Sequence, residues 1–472
     1  MTAPTSRSPN AEEGDRKPHV LAFYLPQFHP VPENDAWHAP GFTEWDVVVR
    51  SKPKFAGHRQ PELPGELGFY DLRVPETRAQ QARLAREHGI SGFLYYHYWF
   101  SGRRLLDRPL QEVLASGKPN FPFALCWANE SWFRRWQDTM DALILEQEFS
   151  DEDDLAHIRW LIECFKDPRY IRINGRPLLA VYRAHYMPNP AHTVQLWRRE
   201  CENVGVAPPW MVMFETGEVN EDPRSIGFDA SAEFVPHLLH HLARPSSYGD
   251  VRDGVRSYIG FDYEEVAAAY LGRPTVPWVR YPCVASGWDN TPRRQASEAL
   301  ILRDASPDRF GRWLSAAVDR QRRTGGRDGV VFVNAWNEWA EGAHLEPDAH
   351  WGRAYLEVAR DVLGIPNSSE EPSPDPEEGL PQGTASAEEL YEDLYRRFVD
   401  LQRWASGYLS YADRRLARAR DEFEEQLATA RDELRKVADL NQSMADELEV
   451  LSLRLRELGV TEMPSRSRSA RA

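Results

Sequence analysis

The stretch Val330–Glu346, VVFVNAWNEWAEGAHLE, decides the fold expected for this chain. Its opening, Val330–Val333, consists of β-branched and aromatic residues and is too apolar for an exposed edge, so it predicts a buried strand. Gly342 then permits a sharp turn of the backbone. Between strand and turn, the chain delivers the carboxylates of Glu338 and Glu341 into a group of tryptophan and asparagine side chains.

The spacing of these two carboxylates suggests acid and base catalysis. Two close carboxylates in a partly apolar site repel each other, so one is expected to stay protonated near neutral pH. Trp336, Asn337 and Trp339 offer what a sugar ring needs, which is apolar faces for stacking and an amide for directed hydrogen bonds. The alternative, a strand end with solvated glutamates, leaves the two tryptophans unexplained. We therefore predict that Glu338 and Glu341 are catalytic.

Working outward, apolar runs alternate with helix-forming segments along residues 19–364. The predicted strands lie at 19–29, 90–99, 121–130, 177–182, 210–215, 230–235, 280–286 and 330–333. The predicted helices lie at 76–88, 104–116, 151–165, 191–204, 263–271, 308–322 and 351–363. Near-continuous apolar strands predict a parallel sheet that is covered on both faces. Eight such strands favour a closed (β/α)8 TIM-type barrel, an α/β fold, over an open doubly wound sheet.

Barrel enzymes carry their chemistry where the strands end. Besides the two glutamates, the predicted substrate-binding residues at strand ends are Gln27, His29, His97, Trp99, Trp127, Asn129, Glu130, Trp132, Trp288, Asp289, Trp336, Asn337 and Trp339. Two of them have a structural alternative. His97 could be a hydrogen-bonded core histidine, and Glu130 could form an ion pair with Arg134 or Arg135.

Composition excludes several classes of protein. The 472 residues include 57 Lys and Arg against 73 Asp and Glu, and a net charge of −16 argues against a broad nucleic-acid surface. The chain has neither a GxGxxG motif after its first strand nor a GxxxxGK[ST] motif, so no nucleotide-binding domain and no cofactor are predicted. His237, His240 and His241 lack a companion cysteine or carboxylate triad, so no metal site is predicted.

Cysteine usage and hydropathy bear on location. The four cysteines form no CxxC pair and indicate buried thiols in a reducing compartment. We find no apolar run of about 18 residues and no apolar segment of a secretory signal near the N-terminus, so no membrane span is predicted. We therefore expect a cytoplasmic protein. The alternative is a cytoplasmic protein that associates peripherally with the inner membrane.

The pattern changes after the barrel segment. Predicted disordered tails occupy 1–18 and 461–472, an acidic flexible linker occupies 365–385, and a helical coiled coil occupies 386–460. One heptad series comprises Leu416, Phe423, Ala430, Val437, Met444, Leu451 and Leu458, and the second comprises Leu427, Leu434, Asn441, Leu448 and Leu455. Asn441 among leucines favours a parallel homodimer. The alternative is a lone amphipathic helix that packs on the barrel.

Several long motifs occur together in one order along the chain. They are YLPQFHPVPEND (24–35), GFTEW (41–45), GHRQPELP (57–64), LGFYDLR (67–73), GFLYYHYWFSGRRLL (92–106), FPFALCWANESW (121–132) and NAWNEWAEGAHLEPD (334–348). In these motifs the chain resembles WbsX-type proteins, which are labelled glycosyltransferases of lipopolysaccharide or other bacterial surface-polysaccharide synthesis. Their domain is similar to glycoside hydrolase family 99. The resemblance implies a (β/α)8 retaining hydrolase with two glutamates in an E-W-x-E-G motif.

The resemblance also implies a role for each glutamate. Glu338 would deprotonate the 2-hydroxyl of the sugar to give an anhydro-sugar, and Glu341 would be the general acid/base. Three functions stay open: an enzyme that cleaves or transfers glycosidic bonds on an oligosaccharide or polysaccharide, a sugar-nucleotide glycosyltransferase, and a non-catalytic glycan-binding scaffold. The missing nucleotide motif favours the first, the biosynthetic label favours the second, and the intact glutamate pair disfavours the third.

Overall fold

The structure, a computed structural model, describes residues 17–366 except 135–141, 218–219, 249–257, 295–298 and 325–327, and also Val450. The chain divides into two compact units, Met1–Asn367 and Ser368–Ala472. The first unit contains the predicted barrel. The predicted coiled coil, nearly all of the linker and most of both tails lie outside the described residues.

Eight barrel strands are confirmed where the sequence predicts them. They are β1 His19–Tyr24, β2 Gly92–Phe100, β3 Phe123–Trp127, β4 Arg176–Val181, β5 Trp210–Phe214, β6 Ala230–Ala232, β7 Val279–Tyr281 with Cys283–Ala285, and β8 Val330–Asn334. Each neighbouring pair is parallel, and consecutive strands are neighbours from β1 to the first segment of β7. β8 pairs with β1 and with the second segment of β7.

The ring of strands is interrupted at Pro282, between the two segments of β7. Proline has no N–H to donate to a ladder. Its carbonyl oxygen still accepts a hydrogen bond from the Phe332 N–H at 2.9 Å, and the Tyr281 carbonyl accepts one from the Glu233 N–H at 2.9 Å. The sheet is therefore a nearly closed, parallel, barrel-like sheet.

Aromatic side chains fill the inside of this sheet. The ring of Phe23 lies 5.0 Å from Phe214, 5.2 Å from Phe234 and 5.3 Å from Tyr96, measured between centroids. Phe214 in turn lies 5.2 Å from Phe332. The contact with Tyr96 is stacked and the others are tilted or edge-on, arrangements that suit the ring quadrupoles. These rings form a packed base below the strand ends, so any site must lie above them.

Ten α-helices occur in the described ranges. They are α1 Pro32–Trp37, α2 Glu44–Arg50, α3 Pro75–Glu87, α4 Arg108–Ser116, α5 Asp151–Phe165, α6 Pro190–Asn203, α7 Leu239–Leu242, α8 Tyr263–Leu271, α9 Pro307–Thr324 and α10 Ala354–Leu363. None of these described helices combines the length and the hydropathy that a membrane span requires. The four cysteines are buried and free, as predicted.

One predicted helix and the expected strand–helix alternation differ from the structure. The helix predicted at 104–116 begins only at Arg108, because Arg103–Leu105 forms a short antiparallel strand against β2 and Pro109 favours the first helical turn. Between β5 and β6 the described residues contain a 3-10 turn, Pro223–Ile226, and no α-helix. The expected strand–helix alternation therefore fails in the fifth unit, where Gly227 ends the turn at φ +82°.

Candidate active site

The turn after β8 carries both glutamates. The two-residue strand Asn337–Glu338 pairs antiparallel with Ala343–His344, and Gly342 closes the turn at φ +60°. Asn337 fixes this turn to the end of β1, because its Oδ1 accepts from the Leu25 N–H at 2.7 Å and its Nδ2 donates to the Leu25 carbonyl at 3.0 Å. Asn337 therefore has a structural role and is not directed at a substrate, contrary to the prediction.

The same turn packs closely against the segment after β7. The Asp289 N–H donates to the Glu341 carbonyl oxygen at 2.6 Å. A Cβ atom at Gly342 would lie 3.0 Å from the backbone nitrogen of Asp289, tighter than ordinary van der Waals contact. Glycine is thus required here both by its positive φ and by the approach of a neighbouring backbone.

Arg293 joins the two glutamates to a third one. Its guanidinium lies 3.1 Å from an Oε atom of Glu338, 2.8 Å from one of Glu341 and 2.5 Å from one of Glu44. The Nε atom of Arg293 also donates to Glu44 at 2.8 Å. One guanidinium therefore bridges three carboxylates, an arrangement that the fixed fork of donors in arginine permits.

Burial and Arg293 act in opposite directions on the acidities. Burial is the largest cause that raises the pKa of Glu338, the Arg293 guanidinium lowers it, and the charges of Glu341 and Glu44 raise it again. Burial likewise raises the pKa of Glu341, which Arg293 lowers in part. The expected mechanism, mutual repulsion of two carboxylates, is thus the smaller effect. Desolvation is what favours the protonated forms.

Glu44 reaches the site because α2 packs over the turn. The Glu44 N–H, at the first residue of α2, donates to the Gln27 carbonyl at 3.2 Å. The neighbouring Trp45 donates from Nε1 to the Tyr70 carbonyl at 2.8 Å, and its ring lies 5.7 Å from Trp339. The half-buried Gln27 therefore enters the site region through its backbone.

Three tyrosines face the glutamates from β2 and from the end of β4. Burial raises the pKa of Tyr96 and of Tyr98 well above the ordinary value, and the nearby Glu338 carboxylate raises each further. Burial also raises the pKa of Tyr182, and among the charges near it Glu341 raises it as well. These hydroxyls stay protonated at neutral pH. Those of Tyr96 and Tyr98 are suited to donate a hydrogen bond to a ligand, whereas the Tyr182 hydroxyl is hydrogen-bonded to His237.

An aromatic group lies next to these tyrosines. Trp132 is half-buried, and its ring lies 5.2 Å from Tyr98 and 5.6 Å from Trp37, both edge-on. Trp37 is also half-buried. Of the tryptophans predicted to bind substrate, Trp132 is the one that is partly exposed and also lies beside the tyrosines near Glu338. It is the best candidate for stacking against a sugar ring.

The other predicted aromatic contacts are buried in the core. Trp127, Trp336 and Trp339 are each 1% exposed or less and present no open ring face. Trp339 donates from Nε1 to Glu346 at 2.7 Å and stacks on His344 at 3.9 Å. The prediction that these three rings stack on a sugar is therefore wrong, because a ring enclosed by protein cannot also contact a ligand.

His97 and Trp99 face the helix layer instead of the site. His97 Nε2 lies 2.9 Å from His157 Nε2, and burial lowers the pKa of His97 to about 3. Trp99 stacks on His157 at 4.6 Å and donates from Nε1 to Asp153 at 3.0 Å. His157 and Asp153 belong to α5. The structure therefore places His97 as a hydrogen-bonded core histidine, which is the alternative stated for it above.

Three further predicted residues are buried in the protein or paired with other protein groups. His29 is fully buried, and burial lowers its pKa to about 4, so it is neutral. Asn129 donates to the Arg183 carbonyl at 2.9 Å and accepts from the Arg183 N–H at 2.9 Å, which joins the ends of β3 and β4. Glu130 pairs with Arg183 at 3.0 Å. The Arg134 side chain and Arg135, its alternative partners, lie outside the described residues.

Trp288 and Asp289 line a separate cavity next to the turn. Asp289 Oδ2 lies 2.7 Å from His58 Nε2 and accepts from Gln60 Nε2 at 2.9 Å. Within the described residues, no group of three or more His, Cys, Asp or Glu side chains is arranged to hold a metal ion. His237, from the histidine group noted in the sequence, forms a 2.7 Å hydrogen bond with the Tyr182 hydroxyl.

Sequence reasoning did not identify Arg293, Glu44, Tyr96 or Tyr98. The two tyrosines carried a usable signal, because side chains alternate along a strand and residues 96 and 98 must face away from residue 97. Glu44 lies in the GFTEW motif and was not singled out. Arg293 has no local signal, since only the folded barrel brings it to Glu338 and Glu341.

Comparisons with known proteins give a matching family model and two curated relatives. The family model described as Glycosyltransferase WbsX matches residues 20–359. The uncharacterized protein WxcX of Xanthomonas campestris pv. campestris strain B100 is 44% identical over 353 residues, which cover 73% of this chain and 49% of WxcX. WxcX from a second strain of the same pathovar matches over the same length. The chain thus spans about half the length of the curated relatives it matches.

Solved structures with a similar fold have low sequence identity to this chain. The GH99 endo-alpha-mannosidase from Bacteroides thetaiotaomicron is 15% identical, with a TM-score of 0.46 over 73% of this chain and 96% of that chain. A glycoside hydrolase-like protein is 14% identical, with a TM-score of 0.46 over 77% and 97%. At these values neither match assigns a residue or a substrate to this chain.

Proposed function

Because this chain belongs to the WbsX glycosyltransferase family, we propose that its barrel makes or breaks glycosidic bonds during synthesis of a bacterial surface polysaccharide, such as a lipopolysaccharide O-antigen or a capsule-like polymer. The observation that carries the proposal is the Glu338–Arg293–Glu341 arrangement above the aromatic base of the barrel. Two desolvated glutamates beside tyrosine hydroxyls are suited to proton transfer at a sugar.

The two glutamates have different access to solvent. The Glu338 side chain is 6% exposed and the Glu341 side chain is 21% exposed. A general acid/base must reach the leaving oxygen and later an incoming water molecule, so the more open Glu341 suits that role. The Arg293 guanidinium, 3.1 Å from Glu338, favours the ionised form of this carboxyl, and the pKa that burial raises makes that form a stronger base. The enclosed Glu338 therefore suits the base that acts on the 2-hydroxyl of the sugar. This division matches the one that the family resemblance implies.

The proposed reaction then has two steps. In the first, Glu338 takes the proton of the 2-hydroxyl, O2 bonds to C1, the C1–O bond to the leaving group breaks, and Glu341 gives the leaving oxygen its proton. In the second, water or an acceptor hydroxyl attacks C1 and gives its proton to Glu341, while the C1–O2 bond opens and Glu338 returns the proton to O2. Hydrolysis and transfer differ only in which hydroxyl attacks.

The second candidate is a sugar-nucleotide-dependent glycosyltransferase. The observation in its favour is the description of the matching family, which names glycosyltransferases. In that reaction the donor sugar would leave a nucleoside diphosphate. The described part of the barrel turn offers carboxylates rather than a cradle of backbone N–H groups, which is what a diphosphate usually requires. The first candidate is therefore preferred.

One experiment separates the two candidates. The full chain is incubated with a panel of neutral oligosaccharides and, in parallel, with nucleotide sugars plus oligosaccharide acceptors, and the products are followed by mass spectrometry. The proposal predicts shortened or rearranged oligosaccharides without nucleotide. Release of UDP or GDP that depends on the acceptor would support the second candidate and overturn the first.

Assembly and location complete the proposal. The heptads from Leu416 to Leu458 support a parallel homodimer, in which Asn441 pairs with its copy. The four free, buried cysteines support a reducing, cytoplasmic environment. A surface-polysaccharide precursor built in that compartment would then be the substrate.

A further inference from the structure

A cavity of about 290 Å3 lies beside the turn that carries the glutamates. Gly342 lines this cavity, whereas Glu338 and Glu341 do not. Its volume is at the lower end of small-molecule sites, which span roughly 300–1,000 Å3. Exposed residues Gly57 and Asp304 lie at its border, so the cavity opens to solvent. It is therefore a second concave site, distinct from the one described above.

Several buried hydrogen-bonding groups in its lining lack a hydrogen-bond partner among the described residues. Two of them are the Ser286 hydroxyl and the Trp288 Nε1. Ser286 is 2% exposed and Trp288 is 8% exposed. Leaving a buried donor unsatisfied costs free energy, and the great majority of such groups in folded proteins have a partner. A ligand or water in the cavity would supply it.

Four carboxyl groups line the cavity against two arginines, Arg59 and Arg303, and this balance disfavours an anionic ligand. Burial raises the pKa of Asp289, but hydrogen bonds from His58 and Gln60 lower it below its ordinary value, so Asp289 stays ionised. Asp348 lies 3.1 Å from His344, and Asp304 and Glu62 also line the cavity. An incoming carboxylate or phosphate would meet these acidic groups. Hydroxyl groups can both donate to them and accept from the free donors.

Aromatic surface completes the lining. Trp351 is half-buried at the cavity, with the Arg59 guanidinium over its ring at 5.5 Å. The buried Trp288 contributes its Nε1 donor. An indole face beside fixed hydroxyl donors and carboxylate acceptors is the combination that recognises a sugar, which has apolar C–H faces and a rim of hydroxyls.

We propose that this cavity binds a neutral monosaccharide unit, as a second carbohydrate site separate from the glutamate pair. The proposal rests on the lining of the cavity and not on the reaction assigned to Glu338 and Glu341. The two sites share a wall, since the Asp289 N–H donates to the Glu341 carbonyl at 2.6 Å. A glycan chain bound in the cavity would therefore lie close to the turn that carries out the reaction.

The test measures sugar binding to the full chain by saturation-transfer NMR and calorimetry. The probes are the methyl glycosides of mannose, galactose and rhamnose, with glucuronate and glucose 6-phosphate as charged comparisons. Ala305→Trp fills the cavity, because Ala305 lines it. Ala115→Trp, at an exposed position of α4, is the matched control. Ser286→Ala removes one free hydroxyl and keeps the test valid where Ala305→Trp fails to fold.

The expected result is that at least one neutral glycoside binds and the charged sugars do not. Ala305→Trp should abolish that binding, Ala115→Trp should leave it unchanged, and Ser286→Ala should weaken it about fivefold, the effect of one hydrogen bond. Absence of binding at millimolar concentration, equal binding of the charged sugars, or unchanged binding in a folded Ala305→Trp or in Ser286→Ala would overturn the proposal. The turnover of Ala305→Trp is measured in a separate assay. Failure of sugar binding in the cavity can then be told apart from failure of the proposed function.

Discussion

Among single residues, Arg293 has the largest influence on the charge of the site. Its guanidinium contacts Glu44, Glu338 and Glu341, and it lowers the pKa of both catalytic candidates against the effect of burial. Removal of a positive charge favours the protonated forms of nearby carboxylates. The ionised state of the pair therefore depends on one side chain from another loop.

Arg293→Gln should move the pH dependence of turnover to higher pH. Without the guanidinium the pKa values of Glu338 and Glu341 rise, so both limbs of the kcat/KM profile shift in that direction. The measurement is kcat/KM across pH 4 to 9 on an oligosaccharide substrate. The surface variant Arg312→Gln, which loses only exposed ion pairs, is the control. Limbs that stay in place, or that shift to lower pH, would contradict this account.

Glu346 gives the folded state a measurable pH dependence. It accepts hydrogen bonds from Tyr70 at 2.8 Å, Gln81 at 2.6 Å and Trp339 at 2.7 Å, yet burial raises its pKa to about 7. A carboxyl whose folded pKa lies above its unfolded one makes ionisation destabilising. The destabilisation caused by ionising Glu346 is absent at pH values below the unfolded pKa, near 4.5. It reaches its full size as the pH rises through the folded pKa of about 7.

Glu346→Gln should remove this part of the pH dependence. From pH 5 to pH 8 the free energy of unfolding of the variant should rise relative to the wild type, by up to roughly 3 kcal/mol from the size of the shift. Urea denaturation at several pH values measures the difference. The difference matters more than the absolute value, because a glutamine also alters the three hydrogen bonds. A difference that is flat between pH 5 and pH 8 would argue against a raised pKa for Glu346.

The sequence identified the two glutamates but not their environment. Glu338 and Glu341 could be found because a buried strand, a glycine and paired carboxylates are all local features. The cause of their acidity could not, since desolvation and a contact with Arg293 depend on parts of the chain 45 or more positions away. The tryptophans of the same motif were misread as ligand contacts because their types suit a sugar as well as a core.

At the scale of elements, β2 shows the limit of pattern reading. Its apolar composition predicted a strand correctly, but the strand has two faces. Tyr96 and Tyr98 face the glutamates, and His97 and Trp99 face α5. The alternation of side chains along a strand separates the two sets, but it does not determine which set faces the inside of the barrel. That choice depends on pairing with β1, where Tyr24 lies opposite Tyr95.

The turn after β8 makes a prediction about glycine. Gly342 and Gly352 have similar positive φ values, +60° and +56°, but a Cβ at Gly342 would lie 3.0 Å from Asp289 while none at Gly352 would meet an atom within 4 Å. Gly352→Ala should cost about 1 kcal/mol from conformation alone. Gly342→Ala should cost about 2–4 kcal/mol, because overpacking adds to that strain. Urea denaturation compares the two, and equal costs would show that the contact with Asp289 is unimportant.

For the whole molecule, strand order was predictable and loop placement was not. Eight apolar runs and the rule that consecutive parallel strands are neighbours suffice for the ring. The gap at Pro282, the 3-10 turn in the fifth unit and the contact of α2 with the β8 turn all depend on how particular loops pack. The segments that follow β1 and β7 supply Glu44 and Arg293, so the site is the part that the sequence predicted least completely.

The proposed dimer is a prediction at the same scale. Asn441 lies in a leucine series, where an amide pairs with its copy in a two-stranded coil and is poorly satisfied in larger ones. Residues 385–462 should therefore be dimeric in sedimentation equilibrium at tens of micromolar. Asn441→Leu should raise the melting temperature and admit higher oligomers. A monomeric fragment, or an unchanged state in the variant, would count against the dimer.

The central claim, that the glutamate pair carries out the chemistry, is tested most directly by the turnover of Glu341→Gln on the oligosaccharide that the panel identifies. The substitution keeps the size of the side chain and removes the proton that it transfers. Turnover should fall by about 10²-fold or more, the usual contribution of a general acid/base, while thermal unfolding stays cooperative. Glu152→Gln, at an exposed position of α5, should leave turnover unchanged. Wild-type turnover in a folded Glu341→Gln protein would contradict the account.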